Sequence, residues 1–492
     1  MHYTNIEIIG NNVCERYVED GTTKTRRVPY QPTFFVHGMA GVETKHKDIY
    51  GRYCEPRKFD SLFEARKWKK TQEEVGIEVL GMDDFNLTYI SDTYKGTIEF
   101  DRDDIVIDVV DIEVTAPEFP DPKFAKYEID LISHTRLHKG KRTRYVFDLV
   151  KDVGHWDPKK SVLSPEVIDE VVYMPFDTEE DLLLNYIQLW RSPVPDLVFG
   201  WNSEGFDIPY IVTRITNLFG ENVASKLSPY GKITSKIINN AYGEKIIYKI
   251  HGISLIDYMD VFKKFSFTVM ASYALGNVGQ AEGVGDKLEY DGPINKFRAA
   301  DHQRYVDYCV RDTDIILLID GGRCFIDLIL SMSYYAKIKF EDVLGTIKPW
   351  DSIIFNSLAS QNVIIPAMRH QATQSFPGAF VKEPVPGGVK YGMSFDLTSL
   401  YPSILRLLNL SPETIAGMFN PQRIEEYINK TAVPPSSVFS CAPNGMMYKH
   451  GVVGVLPAET EKVFNQRKTE KKMMLAAKRN KEAILKILAS RA

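Results

Sequence analysis

Apolar residues follow two different spacings in the first half of the chain. Residues 105–114 (IVIDVVDIEV) form a β-branched run long enough for a strand covered on both faces, as in an α/β sheet. A second predicted strand, residues 196–202 (DLVFGWN), leads into residues 206–220, where apolar residues recur at helical spacing. This order of strand, strand and helix predicts an α/β or α+β fold.

Further elements are predicted on both sides of these strands. The first hundred residues mix short β-rich stretches with one charged helical stretch at residues 60–74. In residues 238–259 apolar and polar residues alternate on both sides of a predicted turn, which is typical of a β-hairpin. Residues 301–330 have a helical pattern that is interrupted by Gly321 and Gly322.

The last hundred residues have a different pattern. A Pro- and Gly-rich stretch at residues 383–392 predicts the entry to a new domain. A strand is then predicted to break at Pro402 into a helix, and residues 432–448 are predicted to be rich in loops. From residue 461 an apolar stripe runs among lysines and arginines, which predicts one long amphipathic helix.

Composition places the chain among soluble globular proteins. The 492 residues predict about three domains, and the 44% apolar and 25% charged residues exclude a disordered or fibrous protein. No apolar run approaches the length of a membrane span, and no secretory signal is visible at the N-terminus, so we expect a cytoplasmic protein with no membrane contact. The five cysteines include no C-x-x-C pair, which favours free buried thiols.

Charge is unevenly distributed along the chain. The net charge is -5, but residues 461–492 contain ten Lys or Arg and three Glu, a segment charge of +7. The lysines and arginines of this basic segment could contact phosphate groups.

Three acidic motifs stand out in order. Asp111 and Glu113 are two apart in a predicted strand, so both emerge on one face of the sheet. Asp207 lies near a predicted helix start, and Tyr308 and Asp312 share one helix face. Taken singly, each motif fits an ordinary alternative: a solvated strand end, a helix cap or a surface pair.

The order of these motifs resembles that of the family B DNA polymerases. DIE (111–113), NSEGFD (202–207) and YCVRD (308–312) resemble the three proofreading exonuclease motifs. SFDLTSLYPSI (394–404) resembles the first palm motif, and KVFNQRKTEKK (462–472) resembles the start of the fingers. Within the family the resemblance is strongest to polymerases of T-even-like bacteriophages, and it implies an RNase-H-like 3′-to-5′ exonuclease domain.

The resemblance implies roles for the exonuclease residues. The carboxylates of Asp111, Glu113, Asp207 and Asp312 can hold two Mg²⁺ or Mn²⁺ ions about 3.5–4 Å apart for hydrolysis of the terminal phosphodiester. Tyr308 is implied to orient the attacking water. Asn202 and Phe206 are implied to bind DNA by placing the unpaired 3′ end, although Phe206 fits the hydrophobic core equally well.

The palm and fingers residues are also assigned by resemblance. Asp396 would hold metal ions at the polymerase site, with the backbone carbonyl of Leu397 as a second oxygen ligand. Nucleotide binding is assigned to a further set of residues: Ser399, Leu400, Tyr401, Arg467 and Lys471. The Tyr401 ring is implied to exclude a 2′-hydroxyl, and the two cations share a helix face on which they can grip a triphosphate. A solvated basic face is the alternative for that pair.

The second half of a polymerase site is missing from the sequence. The second palm acids and the central fingers lysine are not found, and Asp312-Thr313-Asp314 mimics the second palm motif only on the exonuclease helix. We therefore expect the N-terminal part of a split polymerase, completed by a second polypeptide that supplies the rest of palm, fingers and thumb. A truncated gene fits equally well.

The resemblance further implies partners and a domain order. The partners are primer-template DNA, single-stranded 3′ ends, deoxynucleoside triphosphates, a sliding clamp and a single-strand binding protein. The alternatives are a stand-alone exonuclease and a catalytically silent nucleic-acid-binding assembly subunit. The expected segments are an N-terminal domain at 1–104, the exonuclease at 105–325, a return segment of the N-terminal domain with a linker at 326–382, a partial palm at 383–455 and the first fingers helix at 456–492.

Overall fold

The computed structural model describes most of the chain, namely residues 1–39, 43–163, 168–240, 243–288, 294–367, 381–388, 390–418, 425–426, 429, 431, 438–442 and 444–489. The chain divides into two compact units. The first unit comprises residues 1–34, 57–77 and 82–353, and the second comprises residues 35–56, 78–81 and 354–492. Parts of the predicted return segment (368–380) and of the predicted loop (432–437) lie outside the described residues.

The described part of the N-terminal hundred residues contains six strands and two helices. These are β1 (His2–Ile9), β2 (Asn12–Glu19), β3 (Thr22–Pro29), β4 (Thr33–His37), β5 (His46–Asp48), β6 (Tyr53–Lys58), α1 (Leu62–Glu74) and α2 (Phe85–Thr93). The helix predicted at residues 60–74 is confirmed, and Ser61 caps it by accepting a hydrogen bond from the Glu64 amide at 3.2 Å. Strands β1, β2 and β3 form an antiparallel sheet of the first unit.

A six-stranded sheet forms the centre of the first unit. The elements from residue 107 to residue 336 are β7 (Ile107–Glu113), β8 (Leu131–His138), β9 (Lys141–Leu149), β10 (Glu170–Phe176), α3 (Glu179–Trp190), β11 (Leu197–Gly200), α4 (Asp207–Phe219), α5 (Glu221–Ala224), β12 (Ile233–Asn240), β13 (Gly243–Ile250), β14 (Ser254–Asp257), α6 (Tyr258–Phe265), α7 (Leu275–Ala281), α8 (Ile294–Ala300), α9 (His302–Arg323) and α10 (Phe325–Ala336). The strand order is β10-β9-β8-β7-β11-β14, so the predicted α/β architecture is confirmed.

Strand β7 lies inside this sheet. It pairs antiparallel with β8 and parallel with β11, and its first four residues, Ile107 to Val110, are buried. Helices α3 and α4 supply apolar residues to one core, and α9 supplies them to a second. A strand covered on both faces explains why its sequence is almost continuously apolar.

Helix α9 is longer than its sequence pattern predicts. It continues through Gly321 and Gly322 and ends at Arg323, and the following residue, Cys324, adopts a left-handed conformation with φ 55°. The prediction that the two glycines interrupt the helix is therefore wrong, since glycine weakens a helix without ending it. The hairpin predicted at residues 238–259 is confirmed by the antiparallel pairing of β12 with β13.

The second unit contains shorter strands and the terminal helix. Helix α11 (Ile347–Ser360) begins in the first unit and ends in the second. The elements that follow it in the second unit are β15 (Val363–Ile364), α12 (Leu400–Leu408), β16 (Ile415–Met418), β17 (Phe439–Cys441), β18 (Met446–Lys449) and α13 (Val455–Ala489). Strands β15 and β5 pair parallel in the sheet β15-β5-β6-β4, and β16, β18 and β17 form a small antiparallel sheet. The predicted long terminal helix is confirmed, although it begins at Val455.

Two predictions for the second unit are wrong. Residues 392–397 form no strand, and α12 begins at Leu400 with Pro402 in its first turn, where a missing amide hydrogen costs no intrahelical bond. Strands β17 and β18 occupy part of the stretch predicted to be loop. Within the described residues, no helix combines the length and apolar character needed to cross a membrane. The five cysteines are all free.

Candidate active site

Two carboxylates of the site come from the end of β7. Asp111 and Glu113 are half-buried, whereas Ile112 between them is buried on the opposite face. This alternation is the one that the sequence predicts for a strand. The backbone of this strand also holds a third acid, because the Ile112 amide donates to Asp207 Oδ1 at 3.1 Å.

Asp207 is placed by the loop between β11 and α4. It is the first residue of α4 and is 3% exposed. Gly200 at the end of β11 allows this loop to approach β7, since a Cβ there would lie 2.7 Å from the Val110 carbonyl oxygen. The alternative of a helix cap for Asp207 does not describe its contacts, because its carboxylate accepts a hydrogen bond from the neighbouring strand.

Helix α9 brings Tyr308 and Asp312 close to the acids of β7. The helix is fixed to the sheet by a hydrogen bond of 3.0 Å between the hydroxyls of Ser133 and Thr313 and by an ion pair between Arg144 and Asp314. Thr313 and Asp314, which mimic a palm motif in sequence, therefore serve the packing of α9.

Lys287 is a site residue that sequence reasoning missed. Its ammonium donates a hydrogen bond to Asp312 Oδ2 and lies 5.4 Å from the centre of the Tyr308 ring. Burial disfavours its charge, yet the neighbouring Asp312 raises the pKa of Lys287 above its usual range. Lys287 lies in a loop that carries no motif, so no spacing in the sequence indicates its role.

Burial raises the pKa of all four carboxyl groups. Burial and then the charge of Asp312 raise the pKa of both Asp111 and Glu113 well above the usual range. Burial raises the pKa of Asp207 to about 7, and burial also raises that of Asp312, against the opposing charge of Lys287. Carboxylates gathered in this way repel each other unless a cation lies among them.

This donor set fits a divalent metal ion. Asp312 is 5% exposed, and its Oδ1 has no hydrogen-bond partner among the described residues. Four carboxylates supply the oxygen ligands that hard cations such as Mg²⁺ and Mn²⁺ prefer. The residues present therefore fit a metal centre.

Tyr308 remains protonated at neutral pH. Burial raises the pKa of its phenol to about 12, although the charge of Lys287 opposes the shift. Its hydroxyl can therefore donate a hydrogen bond to a water or substrate oxygen.

The loop 201–206 carries the candidate DNA-binding residues. Asn202 is exposed in a left-handed conformation (φ 59°), and its backbone amide donates to Asp257 Oδ1 at 2.9 Å. Phe206 is half-buried, and its ring centre lies 6.0 Å from that of Phe119, which is 78% exposed. No motif in the sequence indicates that Phe119 lies near Phe206. The fold brings the two rings together.

Lys245 on β13 reaches the same loop. A Cβ at Gly205 would lie 2.8 Å from Lys245 Nζ and 2.7 Å from Asn202 Oδ1. Within the described residues, Lys245 forms no ion pair. An ammonium beside the exposed Asn202 can contact the phosphate of a strand that enters the loop.

The candidate palm residues lie in the second unit and are largely exposed. Asp396 and Leu397 lie in an extended segment, Ser399 precedes α12, and Leu400 and Tyr401 form its first turn. Tyr401 is 70% exposed, and Arg467 and Lys471 are exposed on α13.

Helix α12 contacts the start of α13. Arg406 donates to Glu461 Oε1 at 2.7 Å and lies 5.4 Å from the centre of the Phe464 ring. No hydrogen bond or ion pair of the described residues joins Asp396 to Arg467 or Lys471. The structure thus brings the candidate exonuclease acids together, whereas the candidate polymerase residues are largely exposed.

Two phage polymerases match the chain over nearly its whole length. The DNA-directed DNA polymerase of Enterobacteria phage T4 is 49% identical over 500 residues, which cover 99% of this chain and 55% of that protein. The DNA-directed DNA polymerase of Escherichia phage RB69 is 47% identical over 501 residues, with the same two coverages. The DNA polymerase delta catalytic subunit of Glycine max is 25% identical over 329 residues, or 62% of this chain and 29% of that protein. The chain spans about half the length of the two phage relatives.

Two family profiles match separate parts of the chain. The profile of the DNA polymerase family B exonuclease domain matches residues 84–278, and the profile of DNA polymerase family B matches residues 347–489. Tyr308 and Asp312 lie outside both ranges, so their place in the site depends on the fold of α9. Because both profiles describe one family and together match more than half of the residues, the chain belongs to the family B DNA polymerases.

Proposed function

We propose that the chain is the N-terminal part of a DNA polymerase and carries a 3′-to-5′ exonuclease centred on Asp111, Glu113, Asp207 and Asp312. The single observation that carries this proposal is the convergence of these four carboxylates. Strand β7 provides the first two, the start of α4 provides Asp207, and α9 provides Asp312. Such a cluster is costly without a cation, and a purely structural role gives no reason for it.

The metal chemistry of this centre follows from its donor set. Family B exonuclease and polymerase domains generally use divalent metal ions, and we infer two Mg²⁺ or Mn²⁺ ions held by the four carboxylates. Bound there, such ions activate water and stabilise the charge that develops on a displaced 3′ oxygen.

The protein groups would then position the reactants. The protonated Tyr308 hydroxyl donates a hydrogen bond that orients water, and Lys287 holds Asp312 in place. The exposed Phe119 ring and the neighbouring Phe206 ring offer a stacking surface for a terminal base, which any base can use. Asn202 in the loop 201–206 and Lys245 beside that loop lie where the last sugar and phosphate of a single-stranded 3′ end would pass.

The second unit supplies part of a nucleotidyl-transfer site in this proposal. Asp396 and the Leu397 carbonyl would bind metal ions, Ser399, Leu400 and Tyr401 would contact the deoxynucleotide, and Arg467 and Lys471 would contact its triphosphate. Their exposure fits surfaces that are completed by the region corresponding to the rest of the phage relatives, whether as a second polypeptide or as part of a longer chain. A sliding clamp and a single-strand binding protein are further partners, in the cytoplasm of a bacterial host.

One gel experiment tests this proposal. The chain is incubated with Mg²⁺ and a 5′-labelled primer on a template, with and without deoxynucleotides, beside an Asp111→Ala variant. Shortening of the primer by the wild type alone, without extension, supports an exonuclease joined to an incomplete polymerase site. Extension by this chain would contradict the need for further palm acids, and shortening that survives in Asp111→Ala would contradict the assigned centre.

A further inference from the structure

Arg311 on α9 contacts the loop that carries Lys287. This loop, residues 282–287, follows directly after α7. The Arg311 guanidinium donates two hydrogen bonds to backbone carbonyl oxygens of the loop, from Nη2 to Val284 at 2.7 Å and from Nε to Asp286 at 3.2 Å. The helix and the loop are therefore joined immediately before Lys287.

Two glycines leave room for this contact. Gly285 lies between the two acceptors with a positive φ of 93°, and a Cβ there would lie 2.6 Å from Arg311 Nη2. A Cβ at Gly279 on α7 would lie 2.5 Å from the Gly285 carbonyl oxygen. Side chains at these two positions would push the loop away from the guanidinium, so the close packing depends on glycine at both.

A second arginine of α9 contacts the same loop at its other end. Arg323 donates to both carboxylate oxygens of Glu282, at 2.6 Å and 2.7 Å. Arg311 instead bonds to Asp286, the residue that precedes Lys287. Arg323 can thus hold the start of the loop, whereas Arg311 holds the part from which the lysine projects.

The position of Lys287 matters because its ammonium donates a hydrogen bond to Asp312, one of the four acids of the proposed exonuclease. We propose that Arg311 is a positioning residue of this exonuclease, because its two hydrogen bonds hold the loop backbone where Lys287 reaches Asp312. Arg311 acts through the lysine and needs no contact with DNA or with a metal ion. This inference rests on the proposed function.

A direct effect of the Arg311 charge on Asp312 is the alternative. Burial raises the pKa of Asp312, and the charges of Lys287 and then of Arg311 oppose that shift. An effect of charge alone would persist in a protein without Lys287. An effect through the loop would disappear, because the loop would then carry no ammonium to position.

A double-mutant cycle separates these two effects. Arg311→Gln and Lys287→Ala are made singly and together in the full chain, and single-turnover hydrolysis of 5′-labelled single-stranded DNA is measured in Mg²⁺. We expect Arg311→Gln to slow hydrolysis about tenfold in the parent and less than about twofold in the Lys287→Ala background. Arg142→Gln is the matched control, because Arg142 and its partner Asp169 are 40% and 42% exposed and the loss of such a pair should leave the rate unchanged.

A chemical label reports on Lys287 without any hydrolysis. The metal-free protein is treated briefly with acetic anhydride, and mass spectrometry gives the rate at which Lys287 is acetylated. An ammonium that is paired with Asp312 reacts slowly. Arg311→Gln should raise the acetylation rate of Lys287 about fivefold, and Arg142→Gln should not change it.

The outcomes distinguish the positioning role from the proposed function. The positioning role is overturned by a loss of similar size in both backgrounds, by an Arg311→Gln rate within about twofold of the parent, or by unchanged labelling of Lys287. In each of these cases, hydrolysis that Asp111→Ala abolishes leaves the exonuclease intact. A parent without Asp111-dependent hydrolysis overturns both, because a positioning residue then has no reaction to serve.

Near-ultraviolet circular dichroism checks that each variant folds as the parent does. If Arg311→Gln fails this check, Arg311→Lys takes its place in the same cycle with the same expected results. Lysine keeps the positive charge but loses the forked geometry that reaches two carbonyl oxygens.

Discussion

The ammonium of Lys287 hydrogen-bonds to the Asp312 carboxylate and lies against the face of the Tyr308 ring. This one cation therefore contacts two candidate catalytic residues that α9 presents one turn apart. It supplies a positive charge beside the buried acids, and its removal takes away the hydrogen-bonded cation that offsets the charge of Asp312.

Lys287→Ala should destabilise the metal-free protein. Breaking a partly buried ion pair at an acidic cluster is expected to lower the free energy of unfolding by about 1–3 kcal/mol in a chelator. Saturating Mg²⁺ should restore most of this loss, because bound cations then neutralise the acids. Urea unfolding with and without Mg²⁺ measures both effects.

The matched control for that experiment is Lys24→Ala. Lys24 pairs with Glu19 on an exposed hairpin, with both side chains more than 40% exposed, so its loss should change little. Equal stability of Lys287→Ala and wild type in the chelator would show that the cation does not offset the acidic cluster.

The metal-free protein should become less stable as pH rises from about 4 to about 7. Asp207 has a pKa of about 7 when folded against an ordinary value of 3.8, so between these values the folded state holds a proton that the unfolded chain has lost. The free energy of unfolding then falls with pH, by at most about 1.4 kcal/mol per pH unit for one group.

The decisive interval is between pH 6 and pH 7. Asp130 and Asp257, each with a pKa raised by burial to about 6, contribute with the same sign at lower pH. Asp207→Asn should therefore make the slope between pH 6 and pH 7 in the chelator shallower, while the raised pKa values of Asp111 and Glu113 keep it negative. Identical slopes for variant and wild type in denaturant titrations at several pH values would argue against the raised pKa of Asp207.

Tyr308→Phe should slow hydrolysis without weakening metal binding. The substitution removes only the hydroxyl, which stays protonated at neutral pH and is expected to orient water rather than bind an ion. We expect the single-turnover exonuclease rate to fall about 10- to 100-fold, while Mn²⁺ affinity stays within about twofold. A parallel loss of Mn²⁺ affinity would instead make Tyr308 part of the metal centre.

Lys245→Ala should weaken binding of single-stranded DNA in a salt-dependent way. If the ammonium contacts one phosphate, its loss should reduce the slope of log affinity against log salt by about 0.7. Lys123→Ala is the control, because Lys123 Nζ lies 2.7 Å from Glu244 and is already paired. Fluorescence anisotropy at several salt concentrations, with a metal-free buffer to prevent cleavage, measures the two slopes.

The acids could be predicted from the sequence because each lies at a definite position of a regular element. The two-residue spacing of Asp111 and Glu113 on a strand and the four-residue spacing of Tyr308 and Asp312 on a helix determine which side chains share a face. The structure shows the same faces at β7 and α9.

The residues that sequence reasoning missed join the site through long-range packing. Lys287 lies in a loop and Phe119 on an exposed segment, and neither has a periodic neighbour that indicates its partners. Cys309 is separated from Asp111 by nearly two hundred residues, so only the packing of α9 on the sheet brings its sulfur to the acids. The domain boundaries and the individual site roles stay predictions.

The central claim is that Asp207 and its neighbouring acids form an exonuclease centre, and one rate tests it most directly. The single-turnover rate of 5′-labelled single-stranded DNA hydrolysis in Mg²⁺ is compared for wild type, Asp207→Asn and the exposed control Asp260→Asn. We predict a loss of about 10³-fold for Asp207→Asn and none for Asp260→Asn. A rate for Asp207→Asn within about threefold of wild type would contradict the account.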